Sequence, residues 1–474
     1  MKTLVLLFVT YLIFITSSFA QAPDTLWTKT FGKQDNDDRG NSVQQTTGGG
    51  YITTGSWGLR TLLLKTNENG DTLWTKTYGR PAAGVTAFGN SVQETTDGGY
   101  IWIGTSVGET DGLFIQKTDS LGNIICVMGI SLTFIKGYGG NSVQQIIGGG
   151  YIATGCSPSG GVLLVKTDES CDTLWTKTFG GDEGNSVQQT TDEGYIIVGT
   201  TSSFGAGEDD ICLIKTNENG DSIWTKTYGG ITGEEGYAVQ QTNDGGYIIV
   251  GYTDSYGAGE DDIWLIKTDE NGDTIWTRTY GGSNDEEGFS VCQTTDSGYV
   301  ITGYTNSFGA GDNDVWIIKT DANGDTLWTK TLGGVESDVG KSIQQTADGG
   351  YIVAGYTSSF GAGGEDVWLI KLDSDIVGVD DYQENIPNSY YLFQSYPNPF
   401  NPTTTIKYQI PGLTFVTLKV YDVLGNEIKT IVNEYKPAGT FIVEFDASTL
   451  PSGIYFYRLQ AGSFVETKKM VLLR

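Results

Sequence analysis

Four aromatic residues and four carboxylates stand out for their spacing. Phe204, Tyr256, Phe308 and Phe360 recur every 52 residues, and six residues after each comes an aspartate, Asp210, Asp262, Asp314 or Asp366. An exposed ring offers a stacking face for a sugar, and a flanking carboxylate accepts sugar hydroxyls or coordinates Ca2+. These eight residues are therefore the ligand-binding candidates. They also have a structural use, because an aspartate opening a strand accepts backbone N–H bonds. Recurrence in copy after copy favours that use, since a ligand occupies one place and a folding role is needed in every repeat. The Asp269-x-Asn271-Gly-Asp273 turn has the outline of a calcium loop. It lacks the bidentate Glu at the twelfth position, and its Asn-Gly pair already explains it as a turn. Calcium stays open as a cofactor and no other is expected.

Several chemistries drop out. The sequence contains no histidine, which removes Ser-His-Asp and Cys-His catalysis, His-ligated zinc and c-type haem attachment. Glycoside cleavage needs two carboxylates at a set separation, one with a raised pKa. Among 57 Asp and Glu no pair can be chosen, so no catalytic residue is assigned. The net charge is −29. From Leu392 onward, however, 8 Lys and Arg face 6 Asp and Glu, so the deficit lies in the body. Such a body repels phosphate backbones and anionic membranes, and nucleic acid is not expected as a partner. The five cysteines read as scattered substitutions in a repeat rather than a disulfide framework. A single pair such as Cys156 with Cys171 stays open.

The elements that must position these residues are repeats. Tyr51, Tyr100, Tyr151, Tyr195, Tyr247, Tyr299 and Tyr351 mark seven copies with a period of about 50 residues. In the copy over 236–280, Tyr237 to Thr242 alternates and ends at a Gly-rich turn. The apolar run Tyr247 to Thr253 follows, then a longer loop, Asp262 to Thr268, an Asn-Gly turn, and Asp273 to Tyr280. Four antiparallel strands per repeat make one propeller blade. The expected fold is all-β, a seven-bladed β-propeller over 21–372. The Ile-Lys-Thr-Asp, Asn-Gly, Asp-Thr-Leu-Trp sequence resembles the third and fourth strands of quinoprotein-type propeller repeats, in which the outer-strand Trp docks on the next blade. That phase makes Ser-Val-Gln-Gln innermost. It also predicts that Asp24 to Phe31 pairs outside Val367 to Leu372 and closes the ring. Tight turns then share one face and long loops the other, where binding usually resides.

The two ends carry the address. Lys2, the apolar run Leu4 to Ile15 and Ser18-Phe19-Ala20 predict a signal peptide over 1–20. No transmembrane segment is expected in the mature chain. Residues 373–391 read as an acidic linker, and alternating runs from Leu392 to Arg474 predict a small Ig-like β-sandwich. This segment carries Tyr396-Pro397-Asn398-Pro399-Phe400, Val420 to Gly425, Leu450 to Tyr455 (with Gly453), and Lys468-Lys469 to Arg474. With those motifs in that order it resembles the C-terminal sorting domain of type IX secretion cargo, similar also to the Ig-like domain of hook-capping proteins. The resemblance implies export, recognition of the tail by the type IX machinery, and a secreted or cell-surface location. For the body, the expectation is a non-enzymatic binding or adhesion module for an extracellular glycan or protein. A polysaccharide-acting propeller enzyme and a purely structural surface protein are the alternatives.

Overall fold

A computed structural model describes residues 21–375 and 390–473, except 35, 80–85, 108–111, 132–138, 396–397, 413, 437–438 and 463, and gives backbone only at 131, 439–440, 442 and 444. The expected signal segment, most of the linker, and Tyr396 and Pro397 lie outside the described residues. Contacts divide the chain between Gly378 and Val379. All regular structure among the described residues is β.

In the first unit the described strands form seven four-stranded antiparallel sheets, none closed on itself. The fifth shows the pattern: Glu234–Gln241, Tyr247–Thr253, Asp262–Thr268 and Thr274–Tyr280, paired in that order. The two middle strands are almost wholly buried because each sheet is sandwiched between its neighbours, which is why they read as unbroken apolar runs. Ile248, Val250, Ile263 and Leu265 of this sheet share a core with Tyr299, Ile301, Trp316 and Ile318 of the next. Each such side chain contributes roughly 1.5–3 kcal/mol on burial. The arrangement is propeller-like. Thr25–Phe31 completes the seventh sheet, running from Thr25 opposite Leu372 to Phe31 opposite Val367.

The repeated motif is the joinery between sheets. Ser42, Ser91, Ser142, Ser290 and Ser342 accept, through Oγ, the backbone N–H of Val92, Val143, Val187, Ile343 and Val43 on the adjoining first strands. Gln44 Oε1 accepts Glu94 N, Gln93 Oε1 accepts Gln145 N, and Gln344 Oε1 accepts Gln45 N. The outer-strand tryptophans reach the next sheet as well, with Trp27, Trp224 and Trp328 lying 5.9, 6.0 and 6.0 Å from Tyr51, Tyr247 and Tyr351. Under each of five of these rings lies a turn glycine, Gly70, Gly122, Gly220, Gly272 or Gly324.

One junction differs, and it corrects the reading of scattered cysteines. Cys126 holds the tryptophan position and Cys171 the turn-glycine position of the following repeat, and the two form a disulfide with Cα atoms 6.0 Å apart. A contact between a large ring and a glycine is thus replaced by a covalent one. Cys171 keeps the left-handed φ of 65° that the glycines adopt. Cys156 is a buried free thiol rather than its partner.

The second unit has a four-stranded sheet (Glu427–Lys436, Thr414–Tyr421, Gly453–Ala461, Phe464–Leu472) and a three-stranded one (Tyr391–Leu392, Thr403–Ile410, Gly439–Asp446). Alternating residues, among them Ile406, Tyr408, Leu418, Val420, Tyr457 and Leu459, build one core.

Candidate functional site

The long-loop aromatics are exposed by 39% (Phe204), 48% (Tyr256), 45% (Phe308) and 45% (Phe360). Each belongs to a different sheet. Tyr256, Phe308 and Phe360 tilt against Trp264, Trp316 and Trp368 of their own sheets, with centroids 5.4–5.5 Å apart. Tyr256 also lines a surface groove of about 610 Å3 with Tyr228, Trp264 and Arg278. The structure does not bring the four rings together.

Asp210, Asp262, Asp314 and Asp366 are each 1% exposed. Their Oδ2 atoms accept the backbone N–H of Ala206, Ala258, Ala310 and Ala362 at 2.6–2.8 Å, which folds the long loop back onto its strand. Burial pushes the carboxyls of Asp262 and Asp314 above the usual range. A Cβ on Gly281 would sit 1.7 Å from Asp262 Oδ1 and 2.6 Å from Glu286 Oε2, so this position admits only glycine. The Asp269 carboxylate accepts Asn271 N and Asp273 N at 2.8 Å, as a turn residue does. Among the described residues no group of three or more Asp, Glu or Cys side chains is arranged to hold a metal ion.

A different set of residues converges. Every first strand carries a β-bulge at one place, where register shifts between Gly40 and Ser42, Gly89 and Ser91, Gly140 and Ser142, Gly184 and Ser186, Gly236 and Ala238, Gly288 and Ser290, and Gly340 and Ser342. A bulge leaves one residue unpaired and re-aims its side chain. Here the seven extra residues are Asn41, Asn90, Asn141, Asn185, Tyr237, Phe289 and Lys341. All seven line one cavity of about 520 Å3, together with Asp37, Arg39, Ser56 and Phe88. The first strands reach the bulge directly after the long connections, so the cavity opens on the long-loop side.

The cavity has two unlike halves. In one, the Asn41, Asn90 and Asn185 amides donate to the carbonyls of Gly89, Gly140 and Gly236 in the following sheet, and Asn141 Nδ2 donates to Gly184 O and Asn185 Oδ1. Donors are used, while among the described residues the oxygens of Asn41, Asn90 and Asn141 take no partner. In the other half the Tyr237 and Phe289 rings lie 5.1 Å apart, and Phe289 and Tyr304 6.0 Å apart. Glu287 is bound by two tyrosines: Tyr237 OH donates to Oε2 at 3.1 Å and Tyr304 OH to Oε1 at 2.8 Å. Lys341 Nζ sits 3.1 Å over the Phe289 ring. Its depth in the cavity pulls its pKa down to about 8, with Glu287 opposing and Arg39 adding to the fall. Arg39 forks onto Glu365 through Nε and Nη2 and stacks over Tyr356.

A second, smaller cavity of about 360 Å3 is lined by Asp182, Glu183, Asp209, Glu235 and Cys156. Burial and the neighbouring Glu235 charge push the Glu183 carboxyl up to about 7.

The bulge residues were not among the sequence candidates. Their signal was in plain view: in Gly-x-Ser-Val-Gln-Gln and its variants, x is Asn four times, then Tyr, Phe and Lys.

In the second unit, Asn398 Oδ1 accepts Val471 N at 2.9 Å and Asn398 Nδ2 donates to Lys469 O. Phe400 exchanges backbone bonds with Val471 and Leu473. The Asn398-Pro399-Phe400 segment is thereby clipped to the last strand, Phe464–Leu472, which carries Lys468 and Lys469. Lys468 pairs with Glu466 at 3.2 Å. Tyr455, two residues beyond Gly453, donates its hydroxyl to Pro451 O. These sorting residues thus lie on one connected stretch, apart from Tyr396 and Pro397, which are outside the described residues.

Residues 394–473 match the family model of the secretion system C-terminal sorting domain. The regulatory protein FlaEY of Caulobacter vibrioides is 26% identical over 145 residues, 27% of this chain and 15% of that protein. The chain thus spans about a seventh of that curated relative. Among solved structures, PorZ, a surface component of the type IX secretion system of Porphyromonas gingivalis, aligns over 94% of this chain and 60% of its own (TM-score 0.43, 11% identity). Streptogramin B lyase aligns over 75% of this chain and 100% of its own (TM-score 0.46, 12% identity). A protein of unknown function from Bacteroides caccae aligns over 51% and 81% (TM-score 0.36, 12% identity). Residues 394–473 are a secretion system C-terminal sorting domain, which indicates export by type IX secretion to the cell surface or the extracellular space.

Proposed function

We propose that this cargo is a non-enzymatic binding or adhesion module whose body is a seven-bladed propeller closed by Thr25–Phe31, followed by an Ig-like tail. Its ligand, an extracellular glycan or protein, sits in the axial cavity on the long-loop face. One observation carries the reading: the bulge residue is a position where an otherwise repeated strand changes chemistry, and all seven copies line the same cavity. Closure is supported by the bonds from Gln45 N to Gln344 and Val43 N to Ser342, and by the core that Leu62 and Leu64 share with Val367 and Leu369. The volume falls in the range of small-ligand sites, roughly 300–1,000 Å3. Phe204, Tyr256, Phe308 and Phe360 then form an outer rim that a large ligand would touch. The test is a glycan and peptide array probed with the full chain. Binding lost on Phe289→Ala and kept on Phe308→Ala supports the axial site. No binding to any probe sinks the module.

A second reading rests on Glu183. A carboxyl with a pKa of about 7 beside other carboxylates is what an acid in glycoside cleavage requires. New reducing ends from polysaccharide, abolished by Glu183→Gln, would establish it and displace the first.

A further inference from the structure

The binding reading leaves the ligand's chemistry open, and the cavity narrows it. Lys341 is an ammonium with three N–H donors. Among the described residues it forms no hydrogen bond and no ion pair. Its close partner among the described residues is the face of Phe289, a cation–π contact that engages one side of the ammonium. Two of the nearby carboxylates are already used, while Asp37 lines the same cavity beside Arg39. Glu287 takes two tyrosine hydroxyls and Glu365 takes the Arg39 fork. Arg39 keeps its Nη1 uncommitted and lines the same cavity. Two cations with spare donors, against the one lining carboxylate of Asp37, therefore face one space in a chain of net charge −29. Distant surface acids do not cancel them, because charges more than about 8 Å away are screened at physiological salt.

The rest of the wall adds shape. Tyr237 and Phe289 offer apolar faces of the kind that stack on the C–H side of a sugar ring. Opposite them the oxygens of Asn41, Asn90 and Asn141, unpartnered among the described residues, can accept hydroxyl protons.

We propose that the axial cavity binds a carboxylate-bearing sugar residue of an acidic polysaccharide, with its carboxylate on Lys341 and Arg39, its ring against Phe289 and its hydroxyls on the asparagine oxygens. This rests on the axial-site reading above, and the test separates the two. Calorimetric titration of the full chain uses oligogalacturonate, its methyl ester, which keeps the ring and removes the charge, and an acidic peptide. The wild type binds oligogalacturonate, and esterification weakens it at least 10-fold. Lys341→Met produces a similar loss for the acid and little change for the ester. Phe289→Ala weakens both. If acid and ester bind alike, or Lys341→Met leaves the acid unaffected, the carboxylate assignment fails while the axial site stands on the Phe289→Ala result. Binding of the peptide alone, or of none of the three, overturns the sugar assignment. A circular dichroism melt of each variant confirms that lost binding is not lost folding.

Discussion

Replacing Lys341 by methionine should make the free protein more stable while removing its ligand. The ammonium lies deep in the cavity lined by the bulge residues, and its pKa falls from 10.5 to about 8 because burial disfavours the charged form. In the unfolded chain the group stays protonated up to about 10.5, so between about pH 8 and 10.5 the folded state holds fewer protons. Stability contributed by this site therefore rises with pH across that window, and below about pH 8 the whole penalty is present. At about 1.4 kcal/mol per pH unit, the penalty is at most about 3.5 kcal/mol, an upper bound because the cavity reaches solvent. Glu287 and Glu365 oppose the fall, and Arg39 adds to it. Methionine keeps an apolar contact on Phe289 and has no charge to bury. The assay is the thermal midpoint of wild type and Lys341→Met from pH 7 to 10.5. The variant should melt higher at pH 7, and the gap should close as pH approaches 10.5. A gap constant with pH, or a variant less stable at pH 7, would refute the buried-charge argument. A residue that lowers stability where a neutral one would fit points to a role in binding.

Further outcomes follow from other sites. Cys126→Ser with Cys171→Ser should destabilise by up to about 4 kcal/mol, the chain-entropy value for a 45-residue loop. Cys126→Trp with Cys171→Gly should recover much of that loss under reducing and oxidising conditions alike, read as denaturation midpoints; no recovery would mean the junction is not equivalent to the others. Glu183 holds its proton to about pH 7 in the fold and to about 4.5 unfolded, so its stabilising contribution is present at low pH and is lost as pH rises from 4.5 to 7. Glu183→Gln should abolish up to about 3.5 kcal/mol of that decline in melts over this range. Removing residues 390–474 should leave the chain in the periplasm, and unimpaired delivery to the medium or cell surface in cell fractionation would remove the sorting role.

What the sequence made legible was what repeats. The strand order and the middle-strand burial follow from periods of 2 and about 50 residues, while the outer tryptophan on the neighbouring sheet and the pairing of the Thr25 strand with Leu372 follow from the phase implied by the resemblance to quinoprotein-type repeats. What it hid depended on register. The bulge is a single unpaired residue, and alternation alone places Asn41 or Lys341 on a strand face without revealing that seven such residues share one cavity. The disulfide was hidden for a related reason. Cys126 stood in a tryptophan slot and Cys171 in a glycine slot, and only the contact between those slots across a junction, Trp74 over Gly122 for instance, turns two substitutions into one bond. The long-loop aspartates carried two readings in the sequence, and the structural use that their recurrence favoured agrees with the bond by which Asp262 accepts the Ala258 N–H.

The central claim is that function resides where the bulge residues differ, and one variant addresses it directly. Tyr237→Asn, Phe289→Asn and Lys341→Asn together give every first strand the residue already found at Asn41, Asn90, Asn141 and Asn185. Affinity for the array ligand, measured by calorimetry alongside a melt, should be lost while the fold persists. A symmetrised variant that binds as the wild type does would contradict this.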